Sequence, residues 1–169
     1  MAKAVTLSKD KLLQFEVILP ALAFSIPLLV SGPQLLTGTV VNTLLILSTT
    51  KLAENKWTTI AVLPSIAALL NGVLFAKFTP FLLFFLPCIW VGNYAFMKAY
   101  TEIRRRSSFP VGLLFSAGLK TLILYLSVLF YFQLHLVPEV FITIMSVFQF
   151  VTAIAGGILA YVLLRVTTR

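Results

Sequence analysis

Apolar residues run along this chain in long blocks broken by short polar segments. No block alternates with a period of two, so neither a soluble sheet nor a membrane barrel is expected. Read with a window of about 19 residues, the pattern predicts six helices. They run roughly over Phe15–Val30, Gln34–Thr50, Thr58–Ala76, Phe81–Tyr100, Phe109–Gln133 and Val140–Leu164. The breaks are Ser31-Gly32-Pro33, the polar loop Lys51–Trp57, the turn Lys77-Phe78-Thr79-Pro80, the charged connector Glu102–Ser108, and Leu134–Glu139. The first block is short enough to resemble a secretory signal, but five more follow it, so insertion of the whole chain is expected.

Composition turns that pattern into a class. Of 169 residues, 60% are apolar and 11% charged, and the mean hydropathy is +1.03. A soluble domain is about half apolar and about a quarter charged. A soluble enzyme, a disordered chain and a disulfide scaffold are therefore excluded. With one cysteine, Cys88, neither an internal disulfide nor a cysteine zinc cluster can form. The expected fold class is all-α: a single transmembrane domain over residues 1–169, a bundle of six helices in the cell (plasma) membrane.

Charge adds an orientation. The net charge is +8. Eleven basic residues fall on one side of the predicted bundle: Lys3, Lys9, Lys11, Lys51, Lys56, Lys98, Arg104, Arg105, Arg106, Arg165 and Arg169. The other side has Lys77 alone. By the positive-inside rule both termini are expected in the cytoplasm. No basic stripe interleaves with aromatics in a soluble segment, so nucleic acid is not an expected partner.

Few residues carry candidate chemistry. Lys120 lies mid-helix among apolar turns, where a charge costs at least about 2.5–3.5 kcal/mol. It is either a site for an anionic group or proton relay, or a structural residue: one half of an ion pair, or a lysine whose pKa has fallen so that it is neutral. Glu16, the acidic residue nearest a span, lies toward the end of the first helix. Asn42, Asn71 and Asn93 each need hydrogen-bond partners inside lipid. Their depths differ, and Asn42 and Asn93 are read as contacts between helices, while Asn71 stays open between packing and site. Pro27, Pro64 and Pro87 each remove a helical hydrogen bond. Gln34, Lys77, Gln133, His135 and Glu139 lie at the outer surface; with a lone histidine, neither a metal site nor a catalytic base is expected. Trp57 is expected in an interfacial aromatic belt, and Trp90 deeper. Phe75, Phe78, Phe81, Phe84 and Phe85 cluster at the outer ends of the third and fourth helices. Small residues four apart, Ala21 with Ser25, Ala153 with Gly157 and Gly156 with Ala160, let helix backbones approach. They serve packing in the bundle or docking of a partner.

In layout, the chain resembles the substrate-binding S component of energy-coupling factor transporters, and also small six-helix membrane proteins of unassigned function. The resemblance rests on six helices, a basic chain of this length and Ala21–Ser25, which matches an Ala-xxx-Ala docking motif with one substitution. It implies a vitamin or similar micronutrient bound in an outward-facing pocket. By position it points to Lys120, Tyr125, Gln133 and His135, with Asn71 and Lys77 across the mouth. It also implies a coupling membrane protein docked at Ala21 and Ser25, and partner ATPases, since no Gly-x-x-x-x-Gly-Lys-Ser/Thr run occurs here. Asn42, Asn93, Gly156 and Gly157 are read as helix-packing residues. No cofactor and no enzymatic activity are expected. The alternative is a non-catalytic membrane subunit or scaffold, docked through the glycines of the last helix.

Overall fold

The computed structural model describes residues 9–30, 33–72 and 76–167, and side chains over 13–30, 33–72 and 78–166. Lys77 and Phe75, both singled out above, lie outside the described side chains. Among the described residues there is no strand. The helices are α1 (Lys9–Leu29), α2 (Gln34–Lys51), α3 (Trp57–Asn71), α4 (Leu82–Arg106), α5 (Phe109–Gln133), α6 (Val140–Met145) and α7 (Val147–Thr167). Short 3-10 turns, Glu54–Lys56 and Ala76–Phe81, lead into α3 and α4.

Three helical segments are long and apolar enough to cross a membrane: Phe78–Arg106, Phe109–Gln133 and Val140–Val166. Only 39%, 33% and 28% of their most apolar windows is buried inside the protein. The rest faces outward, as Leu114, Phe115, Leu122 and Leu126 do on α5. A soluble protein does not expose so much contiguous apolar surface. This is a helical membrane protein. Of the other helices, α1 carries an apolar stretch, Leu13–Leu29, and α3, with 15 residues, rises only about 22 Å.

The helices close into a ring. α1 packs on α3, α3 on α4, α4 on α5, α5 on α7, α7 on α2, and α2 returns to α1. Two apolar clusters fill it. One gathers Leu45, Ile46, Trp57, Ile60, Phe96 and Met97 near the end where the basic residues lie. The other gathers Phe85, Leu124, Val128, Phe141 and Met145 toward the opposite end. In the second, Phe141 stacks on Phe85 at 5.2 Å, and Tyr131 meets Phe85 edge-on at 5.3 Å.

Several element ends differ from the sequence reading. α1 begins at Lys9 rather than near Phe15, because its charged first turns continue the helix. α3 stops at Asn71 rather than Ala76: Gly72 follows in the left-handed region at φ +73°, where glycine ends a helix without a Cβ clash. The sixth predicted helix is two. Ser146 leaves helical geometry, and its hydroxyl donates to the carbonyl of Ile142 four residues back. Such back-bonding bends helices. Trp57 packs inward. It is 3% exposed, inside the basic-end cluster, with Nε1 donating to Leu52 O at 3.3 Å.

His135 also has a local explanation. It sits at φ +56°, just past α5. Its N–H donates to Phe132 O at 2.9 Å, and that of Leu136 to Tyr131 O at 3.0 Å. This pair of bonds is a Schellman cap, which satisfies the carbonyls of Tyr131 and Phe132 in the last turn of the helix.

Candidate functional site

Polar residues on α2 recur at helical spacing. Gln34, Thr37, Gly38, Val41 and Asn42 stand at i, i+3, i+4, i+7 and i+8, so they share one face. On α7, Gln149, Thr152 and Gly156 do the same. The two faces meet. A Cβ on Gly156 would stand 2.6 Å from Thr39 O and 2.8 Å from Thr43 N, so only glycine allows the backbones this close. Thr43 Oγ1 donates to Gly156 O at 3.2 Å across the seam.

Lys120 reaches into this seam from α5. It is 2% exposed, and its Nζ donates to Asn42 Oδ1 at 2.7 Å. The ammonium also lies 5.6 Å from the centre of the Phe96 ring, within cation–π range. The Asn42 amide is fully used. Its Nδ2 donates to Gly38 O at 2.8 Å and to Thr152 Oγ1 at 3.2 Å, while its Oδ1 accepts from Lys120. Thr152 in turn donates to Phe148 O at 2.7 Å. Among the described residues, no carboxylate lies within ion-pair distance of Lys120.

These groups line a cavity of about 80 Å³ between the two apolar clusters. Each of the six long helices contributes: Pro27 from α1, the polar face of α2, Pro64 and Ser65 from α3, Asn93 from α4, Lys120 from α5, and Gln149 and Thr152 from α7. Trp90 ties the α3 wall to α4 by donating to Ser65 Oγ at 2.8 Å. Asn93 is 2% exposed and donates from Nδ2 to Ala61 O at 2.8 Å. Among the described residues its Oδ1 has no hydrogen-bond partner, and neither has the buried hydroxyl of Thr37. An unpaired buried polar group costs about 1–3 kcal/mol, so two on one cavity wall require explanation.

The chain matches no known protein family, no curated protein and no solved structure.

The residues singled out from the sequence do not converge on one place. Lys120 lines the cavity with Asn42 and Asn93, which bond across helices, as the packing role expected of them requires, and also face the cavity. Asn71 lies elsewhere, in the α1–α3 contact, with Nδ2 donating to Leu28 O at 2.7 Å. Tyr125 faces outward beside Gly118, Leu122 and Phe150. Five residues along a helix turn about 140°, so Lys120 and Tyr125 cannot share a face. Gln133 and His135 are exposed at the α5 end. Glu16 does not approach Lys120; its carboxylate is 3.8 Å from the Lys56 ammonium at the surface. Gly156 and Gly157 are buried, the first against α2 and the second against Leu113 of α5, so this ridge is not a free docking face. Ala21 is exposed on α1 and Ser25 half-buried.

Sequence reasoning passed over Thr37, Ser65, Gln149 and Thr152. For Thr37, Gln149 and Thr152 the signal was the helical stripe on α2 and its counterpart on α7; Ser65, on α3, belongs to neither. The signal is faint, because threonine and glutamine count little against the surrounding leucines and valines.

Proposed function

We propose that this chain is a membrane-embedded solute-binding subunit of a transport system, and that the cavity around Lys120 is its site. One observation carries the reading. Among the described residues, the buried Lys120 Nζ has no carboxylate within ion-pair distance, and it shares a cavity with two polar groups that lack hydrogen-bond partners. Burying an unpaired charge is costly, and an anionic solute would supply the missing counter-charge. Lys120 would hold its anionic group, and Asn93 and Thr37 would set its orientation.

The arrangement we favour places six helices across the membrane with both termini in the cytoplasm. The cavity then opens toward the outside, where Gln34 and Gln149 line it. Energy would come from partner proteins docked on α1 near Ala21 and Ser25, as in the S components the layout resembles, or from an ion gradient. The cavity bears on the size of the solute. Sites for vitamin-sized ligands occupy about 300–1,000 Å³. At about 80 Å³ this cavity suits a compact solute, and a vitamin would require the bundle to open.

The test is a solute screen by thermal shift on the purified protein in detergent, beside the variant Lys120→Met. At least one anionic solute is expected to raise the melting temperature of the natural protein and leave the folded variant unmoved. Equal shifts in both would place the site elsewhere.

A further inference from the structure

The unsatisfied groups narrow the solute further, an inference that rests on the cavity being the solute site. The Asn93 amide has a fixed orientation. Its partner, Ala61 O, can only accept, so Nδ2 must face it and Oδ1 must take the other side. The cavity therefore presents a donor of positive charge at Lys120 and a bare acceptor at Asn93, with the Thr37 hydroxyl able to serve either way. A matching ligand carries an anionic group and, close to it, an O–H or N–H donor.

Charge decides between the two donors. The N–H donor of a free amino acid is an ammonium, which would set a second cation beside Lys120, and among the described residues no carboxylate lies within ion-pair distance of that lysine. A hydroxyl donates without that repulsion. Size decides the rest. A water needs at least about 10–15 Å³ of accessible room, so the cavity of about 80 Å³ holds at most roughly five to eight water-sized groups. We propose that the cavity binds a compact 2-hydroxycarboxylate, with the carboxylate on the Lys120 ammonium and the hydroxyl donating to Asn93 Oδ1. Gln34 and Gln149, both half-buried, line the same cavity and add neutral amides rather than competing charge.

The probes are glycolate, acetate, glycine and chloride, titrated into the protein in nanodiscs. Trp90 fluorescence is the readout, because its N–H bonds the cavity residue Ser65. Calorimetry gives an independent one. Glycolate is expected to bind at least about tenfold tighter than acetate, since acetate leaves the Asn93 acceptor bare. Glycine and chloride should bind more weakly than glycolate. In Asn93→Leu the preference for glycolate over acetate should vanish while acetate binding persists. In Lys120→Met both should be lost. The comparison of ligands on the natural protein needs no variant, so misfolding of Asn93→Leu would not spare the proposal. Equal binding of glycolate and acetate, abolished by Lys120→Met, would overturn the hydroxyl assignment and leave the site standing. No binding of any probe would overturn the 2-hydroxycarboxylate assignment, and the solute screen would then judge the site alone. Tighter binding of chloride or glycine than of glycolate would also overturn it.

Discussion

Asn42 and Asn93 are the same residue type, equally buried, on the wall of the same cavity, yet they do different things. Asn42 sits in the α2–α7 seam with both ends of its amide engaged, holding Gly38, Thr152 and Lys120 together. Asn93 spends one end on Ala61 and leaves the other bare. Around Asn42 the backbones touch closely enough to exclude a methyl group at Gly156. A satisfied polar group in lipid joins helices, whereas a half-satisfied one, kept beside a cavity and a charge, waits for something else. The seam is where this molecule is held together, and the cavity wall is where it can recognise a ligand.

The sharpest way to break that contrast is at the seam itself. Gly156→Ala sets a methyl group against backbone atoms of α2 that cannot rotate away, and should destabilise the protein by about 1–3 kcal/mol. The same change at Gly118, where a Cβ would meet nothing within 4 Å, should be neutral or stabilise by up to about 1 kcal/mol through helix propensity. Unfolding titrations of both variants in mixed detergent check the pair. Equal effects would mean that the α2–α7 contact is not tight.

Next come the asparagines. Asn42→Leu strips Lys120 of its acceptor and should lower stability by about 1–3 kcal/mol. Most of that loss should disappear when Lys120→Met is combined with it, because no buried charge is then abandoned. Asn93→Leu gives up one interhelical bond, worth about 0.6 kcal/mol in membrane proteins. A double-mutant cycle at the first site and a single melt at the second separate the two roles. If Asn93→Leu costs as much as Asn42→Leu, the contrast fails.

Changes remote from both regions should move stability slightly and binding not at all. His135 holds a left-handed conformation that glycine adopts freely, so His135→Gly should stabilise by about 0.5–1 kcal/mol, read as a higher melting temperature. The smallest effect lies at the basic end. Glu54 accepts a 2.6 Å bond from Lys98, which holds its carboxyl below the ordinary value of 4.5. A carboxyl depressed in the folded chain adds stability above that value and loses it as the pH falls through the lower, folded one. Melting curves from pH 6 to pH 3 should therefore fall less steeply for Glu54→Gln than for the natural protein.

The helical membrane class was legible from composition and from the length of the apolar blocks. The prominence of Lys120 was legible too, since a charge amid apolar turns stands out in any window. Helix ends were harder. The stop at Gly72 and the bend at Ser146 depend on one glycine's φ and one serine's hydroxyl, which hydropathy does not weigh. The site was harder still. Position along the chain suggested Tyr125, Gln133 and His135 as companions of Lys120, but helical rotation turns Tyr125 outward, and a Schellman cap accounts for His135. The true neighbours, Asn42, Asn93, Thr37 and Thr152, come from three other helices, and nothing in a single sequence says which helices face each other.

The most direct test of the central claim is native mass spectrometry of the protein released gently from its own membranes, beside Lys120→Met prepared in the same way. The account predicts one small anionic molecule per chain in the natural protein and none in the folded variant. The same adduct in both, or a natural protein that never carries or accepts an anion, would show that Lys120 serves only to join α5 to α2.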